Sequence, residues 1–235
     1  MARPFALRLI EDLLAPGGQL LFPADEVNRI VYVVHGVIEI ARKGFSDDES
    51  WHGRGAAKVV ATSKGATIWR WEFAPAQSKP EMLERPNGTS VEKLASQVSL
   101  PASDVLMRND SVSFPPGGCA FLHTHQGPGI RCLIEGGIRI DTEGHSASYG
   151  PGGAWFEGGP APVFALAAAD RPSRFIRVMI LPASLVGKSS ISYVNPEDRE
   201  KPKSQKYKSY IDTPIAVNRT RNRTARYGRR ASKGA

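Results

Sequence analysis

The sequence predicts an all-β protein built from two copies of one β unit, and three observations carry that reading. The first is an internal repeat at an offset of one hundred residues: FALRLIEDLLAPGGQLLFPADEVNRIVYVVHGVIEI (5–40) lies over VLMRNDSVSFPPGGCAFLHTHQGPGIRCLIEGGIRI (105–140) without a gap. Arg8, Pro16, Gly17, Gly18, Ile30, Gly36, Ile38 and Ile40 recur as Arg108, Pro116, Gly117, Gly118, Ile130, Gly136, Ile138 and Ile140. The second is strand periodicity. In IWRWEF (68–73), Trp69, Trp71 and Phe73 alternate with Arg70 and Glu72, as a strand with one buried face demands, and the aromatic stripe reads as core. The third is glycine punctuation: PGG, QGPG and EGG turns separate the apolar runs.

Taken in order, ALRLIEDLLA alone has apolar residues at helical spacing, whereas its repeat partner VLMRNDSVSF reads as a strand. Consistency between the copies makes both strands, with a short N-terminal helix as the alternative. Beyond Ile40 a polar hairpin region, RKGFSDDESWHGRGA, leads into KVVAT and IWRWEF. Residues 76–104 are rich in Pro, Ser and charge and read as a linker with one short amphipathic helix, SVEKLASQV (90–98). The expected division is 1–75 for the first copy, 76–104 for the linker, 105–185 for the second copy, 186–215 for an extension and 216–235 for a basic disordered tail. In the extension SISYV reads as a strand and YIDTPI as an extended piece. It is expected to wrap the two copies or a second molecule, and no motif in it carries chemistry.

At 235 residues the chain is one large β domain or two small ones. Its net charge of +8 is unevenly spread. From residue 201 onward there are eleven Lys and Arg against Asp212, giving +10, so the first 200 residues carry −2. The run NRTRNRTARYGRRASKGA has almost no apolar residue and cannot form a core. It reads as a solvated disordered end; binding of a phosphate backbone through it is the alternative. No apolar run approaches a membrane span, and Glu11 and Asp12 interrupt the N-terminal segment where a signal peptide would be apolar, so the expectation is a cytoplasmic protein without membrane contact. Cys119 and Cys132 both lie in expected strands and read as buried thiols rather than a disulfide.

The chemistry concentrates in Gly117–Ile140. His123 and His125, one residue apart on a strand, point the same way, with Cys119 and Phe121 expected on the same face. Two such imidazoles can hold a transition metal, or they are ordinary polar side chains at a strand end. The frame around them resembles the first motif of the cupin superfamily: a glycine, five residues, HxH, three or four residues, a glutamate, six residues and a glycine. Gly117, His123, His125 and Gly136 match it, while Gly129 or Ile130 stands at the glutamate's place.

That resemblance implies tandem double-stranded β-helix (jelly-roll) barrels of the bicupin type, and often a homodimer that exchanges terminal segments. Cupins ligate Fe, Mn, Ni, Zn or Cu through the motif's histidines and glutamate, and their reactions include dioxygenation, isomerisation, decarboxylation and hydrolysis. Here the implied cofactor is a divalent transition metal, Fe, Mn, Zn or Ni, held by His123 and His125 beside a small carboxylate-bearing molecule. A metal-dependent oxygenase, isomerase or hydrolase and a non-catalytic binding protein both follow from it.

The second cupin motif is degenerate: from Gly153, its proline, histidine and asparagine fall on Gly159, Phe164 and Ala168. Glu157, on the same strand face as Trp155, is the side chain that could complete a two-histidine, one-carboxylate set, and His145 in a turn-like stretch is expected to be exposed. Arg131, two residues beyond the missing glutamate's place, should share the barrel interior. It either pairs with Glu135 or receives a ligand carboxylate. The first copy has Pro23 and Asp25 where the second has its histidines, so any site belongs to the second copy.

Overall fold

The computed structural model describes residues 4–217. The basic run from 218 onward, and with it the expected tail and its nucleic-acid reading, lies outside the described residues. Of the expected tail only Ala216 and Val217 are described. The Asn28 side chain donates to the Ala216 carbonyl at 3.2 Å, and Val217 packs on the core.

The first copy begins with β1 (Phe5–Leu14) and β2 (Gln19–Phe22), followed by β3 (Asn28–Ile40), β4 (Lys43–Ser46), β5 (Ser50–Arg54), β6 (Ala57–Pro75) and β7 (Gly88–Val98). The second comprises β8 (Val105–Phe114), β9 (Cys119–His125), β10 (Gly129–Glu135), β11 (Ile138–Thr142), β12 (His145–Tyr149), β13 (Ala154–Glu157), β14 (Val163–Ala167) and β15 (Ser173–Pro182). Two short 3₁₀ turns and strands β16 (Ile191–Tyr193) and β17 (Lys206–Ile215) follow.

The sheets repeat as the sequence does. In the second copy one sheet runs β13-β10-β15-β8-β17 and the facing one β12-β11-β14-β9-β16. In the first, β3 and β6 are long enough to run through both layers, so the order β4-β3-β6-β1-β7, with β2 on β6 and β5 on β3, forms one continuous sheet. The expected all-β architecture of two jelly-roll barrels is therefore present.

The repeated PGG is a type II turn in both copies. The Gly18 N–H donates to Ala15 O at 2.8 Å and the Gly118 N–H to Pro115 O at 2.9 Å. Proline occupies the second turn position, and Gly17 and Gly117, both at φ +68°, supply the left-handed third. The strand-ending glycine is equally constrained: Gly136 has φ +82°, and a Cβ there would stand 2.2 Å from Pro172 O.

Two expectations are corrected. SVEKLASQV is not a helix; it forms most of β7, antiparallel to β1, with Leu9 opposite Leu94 and then Ile10 opposite Glu92. The skipped residue, Lys93, is a bulge that breaks the alternation: Ser90 is covered before it, Lys93 itself is half-buried, and Leu94, Ser96 and Val98 are covered after it. The helix-like signal was the apolar spacing of Val91, Leu94, Ala95 and Val98, of which Val91 and Ala95 are exposed in the strand. The IWRWEF strand has two buried faces rather than one. Trp69, Trp71 and Phe73 meet Met107, Ile130, Ile176 and Val178 in the core between the copies. Arg70 and Glu72, 0% and 1% exposed, point into the first barrel.

That barrel is closed by charge. Asp25, at the repeat position of His125, is gripped by Arg29 through hydrogen bonds of 2.9 and 2.7 Å. Arg29 also donates to Glu72 at 3.0 Å, and Arg70 bridges Asp12 and Glu72. Buried charges are tolerated when each has a partner, and here each does.

Candidate functional site

The second barrel arranges the same positions differently. On β9, Ala120 lies opposite Ala165 of β14, whereas His123 lies opposite Val163. Three steps on β9 against two on β14 make a bulge, and the extra residue flips the alternation. Ala120, His123 and His125 therefore line the barrel interior. Cys119 and Phe121, expected on the histidine face, turn outward, and Phe121 lies under the ammonium groups of Lys201 and Lys203. Cys132 is buried and Cys119 partly so, both as free thiols.

His123 and His125 are each 5% exposed, and their Nε2 atoms stand 3.2 Å apart. His123 Nδ1 lies 2.6 Å from Phe121 O, which can only accept, so Nδ1 carries the proton and Nε2 presents a bare lone pair inward. His125 Nδ1 faces Ser190 Oγ at 3.4 Å. Burial keeps both imidazoles below their ordinary pKa, and Arg131 and Arg177 push His125 further down. Both are neutral at pH 7.

Glu157 comes from β13, where it lies opposite Gly129 of β10. The carboxylate missing from the motif's place on β10 is thus supplied by the neighbouring strand. Its Oε2 is 3.4 Å from His125 Nε2, and its Oε1 accepts from Trp155 Nε1 at 2.8 Å. Arg131 fills the room that a side chain at Gly129 would take: a Cβ there would sit 2.9 Å from Arg131 Nη1, which donates to Gly129 O at 2.7 Å.

Arg131 Nη2 approaches Glu157 Oε2 to 2.6 Å but is not aligned to donate, so that buried oxygen has no hydrogen-bond partner. Of the two partners open to Arg131, Glu135 is excluded: it is exposed, lies past a register shift at the end of β10, and faces Arg174 at 3.6 Å. Burial lowers the Arg131 guanidinium to about 10, against the pull of Glu157.

Arg177 on β15 also reaches this interior and was not anticipated. It lies opposite Arg131 on the ladder and pairs with Asp110 at 2.6 and 3.1 Å. The available signal was an arginine in the apolar run RFIRVMILP. Arg70 occupies the matching place in the first barrel, opposite Val31, the repeat partner of Arg131. That correspondence has an offset of 107 and is hidden from an ungapped comparison. His145 is exposed on β12, away from the site.

The extension covers this site from within the same chain. β16 pairs with β9, placing Ile191 opposite His125 and Tyr193 opposite His123, and β17 pairs with β8. What remains open beside the histidines is a cavity of about 20 Å³. A second cavity of about 420 Å³ lies on its far side, and Arg177, Ile191 and Tyr207 line both.

Among the described residues, no three His, Cys, Asp or Glu side chains already stand as a metal cage. The histidine pair nonetheless has the right spacing. Nitrogens 3.2 Å apart subtend about 100° at an ion about 2.05 Å from each, a normal transition-metal angle. The orphaned Glu157 oxygen is the third donor at hand, and it is turned toward Arg131.

No protein-family model and no curated protein matches this chain. Solved structures do match it. Oxalate decarboxylase of Lactobacillus farciminis, crystallised as a formate complex, superposes with a TM-score of 0.62 at 12% identity, over 84% of this chain and 82% of that one. A single-residue variant of Bacillus subtilis oxalate decarboxylase gives 0.60 at 13% identity, over 83% and 73%. A two-residue deletion variant of the same enzyme gives 0.57 at 15% identity over the same shares. Those decarboxylases are two-barrel cupins, and at these identities the likeness speaks to the backbone alone. Together with the repeated sheets and the inward histidine pair, it shows that this chain has the bicupin fold.

Proposed function

We propose that this protein is a single-site bicupin that binds one divalent transition metal in its C-terminal barrel and, beside it, a small carboxylate-bearing molecule. The observation carrying the proposal is the convergence of two neutral imidazole nitrogens at 3.2 Å, with an orphaned carboxylate oxygen 3.4 Å from one of them. A buried polar atom without a partner is uncommon in folded proteins, and the Glu157 oxygen, beside two imidazole nitrogens that have only each other, calls for a shared guest. His123, His125 and Glu157 would hold the ion, and the ion would supply Lewis-acid or redox chemistry.

The chain's own groups set the rest. The Phe121 carbonyl fixes the His123 tautomer. Glu157 can give its Oε2 to an ion only by moving off Arg131, which then offers a guanidinium fork to a carboxylate. Ile191 and Tyr193 on β16 keep bulk water from the histidines. The first barrel takes no part, since its charges are already matched. The homodimer expected from the sequence belongs to the same proposal and is read by light scattering.

A second reading has its own observation. With only about 20 Å³ open and Glu157 against Arg131, the cluster is also a closed charge network that performs no chemistry. Metal content separates the two. The proposal expects about one transition metal per chain in the wild type and none in a His123→Ala, His125→Ala double variant that retains its fold. A metal-free wild type that takes up no added Mn, Fe, Ni or Zn would refute it.

A further inference from the structure

Beneath the extension lies the cavity of about 420 Å³, a volume within the roughly 300–1,000 Å³ usual for small-molecule sites. It adjoins the histidine pocket, and Arg177, Ile191 and Tyr207 line both spaces. The histidine pocket, at about 20 Å³, holds little more than one water or one end of a ligand. Any organic molecule reaching the histidines must keep its body in the outer chamber.

The walls of that chamber are cationic. Arg108, Arg177, Lys188 and Lys203 line it against Asp110 and Asp212, an excess of two positive charges. Arg108 is paired with Asp212 at 2.9 Å and Arg177 with Asp110 at 2.6 Å. The Lys203 ammonium is held by backbone carbonyls of Asp198 and Arg199 and lies over the Tyr193 ring. Lys188, exposed at the rim, has no carboxylate partner among the described residues.

We infer that this chamber binds a dianionic organic acid longer than a two-carbon diacid, one carboxylate entering the histidine pocket between Arg177 and Arg131, which both line it, and the other meeting Lys188 at the rim, with the carbon chain against Ile191 and Tyr207. The inference rests on the reading of the C-terminal barrel as a carboxylate site and gives that site a substrate class. It also gives residues 186–212 a role, since without β16 and β17 the barrel mouth has no outer chamber.

The test is calorimetric titration of the full chain with oxalate, malonate, succinate, glutarate and adipate, with metal content measured on every sample. Affinity should rise from oxalate toward the longer acids. Lys188→Glu, at an exposed position, should weaken the longer dianions by about fivefold or more while leaving the corresponding monocarboxylates within about twofold, since a rim charge acts through a modest Coulomb interaction. Ser209→Trp, at a position that lines the outer chamber and not the histidine pocket, should weaken binding of the longer acids by narrowing the chamber and leave metal content unchanged.

Oxalate binding as tightly as glutarate, indifference to Lys188→Glu, or no binding of any acid by metal-loaded protein would each overturn the chamber proposal and leave the metal reading standing. Binding of the longer acids by a protein that takes up no metal would do the reverse.

Discussion

The contact between Arg131 and Glu157 is the point at which stability and function are most tightly joined. Both side chains are almost fully buried, 1% and 6% exposed, and their charged atoms approach to 2.6 Å. Removing one partner of such a pair strands the other charge in a low-dielectric interior, a loss of about 3–5 kcal/mol, whereas removing both costs far less. Glu157→Gln leaves Arg131 with the Gly129 carbonyl and the Met179 sulfur. Arg131→Met leaves Glu157 with the Trp155 N–H and His125.

Each single variant should therefore lower the thermal midpoint by about 10 °C, at about 2–4 °C per kcal/mol for a chain of this size. The double variant should recover at least half of that loss. Metal affinity should move oppositely in the two singles: up in Arg131→Met, which frees the carboxylate and removes a positive charge, and down in Glu157→Gln. Urea denaturation of the four proteins, with titration of Zn or Mn into each, reads both quantities. Strictly additive losses in the double variant would refute the pairing. Equal metal affinity in the two singles would refute the shared use of Glu157.

Other consequences are simpler to state. Asp48, on the turn between β4 and β5, accepts from Tyr32 at 2.9 Å, Arg174 at 2.8 Å, Lys208 at 2.8 Å and Tyr210, and so ties the first copy to the second and to β17. Asp48→Asn should cost about 1–3 kcal/mol, measured by denaturant midpoint. Despite partial burial, hydrogen bonds from Lys208, Tyr210, Tyr32 and Arg174 hold the Asp48 carboxyl well below its usual range. Its stabilisation is therefore complete above the unfolded value of about 3.9 and is lost as pH falls below it.

Burial lowers the pKa of His52, whose Nε2 has no partner. The neutral form is favoured on folding, so its contribution is intact above about pH 6.5 and declines on acidification. His52→Phe should flatten the fall in midpoint between pH 7 and 5. Gly136→Ala should destabilise strongly, because of the positive φ and the 2.2 Å approach to Pro172 O, whereas Gly117, with open space around its Cβ position, should tolerate Asn. A chain ending at Val217 should keep its midpoint within about 2 °C, well inside the shift that about 1 kcal/mol produces.

The sequence alone determined the repeat and the strand class, and it pointed to the second copy as the place for a site. These depend on local, periodic information: a PGG turn and a strand-ending glycine recur because the same backbone angles recur, and Asp25 in place of His125 is visible at a glance. It also brought His123, His125, Arg131 and Glu157 forward as candidates, since charged or imidazole side chains in apolar strands must be satisfied from within. It could not say which would meet. Glu157 reaches His125 only because β13 pairs with β10 in a register that sets it opposite Gly129, and a register between strands nearly thirty residues apart is a property of the closed barrel.

Two bulges defeated local periodicity. One turned Cys119 and Phe121 away from the histidines, and the other, at Lys93, broke the alternation that would have marked β7 as a strand. Arg177 stayed hidden because its repeat partner Arg70 lies at a different offset once β6 is split into β14 and β15. The extension showed no motif because its contribution is geometric: the tertiary structure alone decided that it folds over its own barrel and leaves a charged chamber beneath.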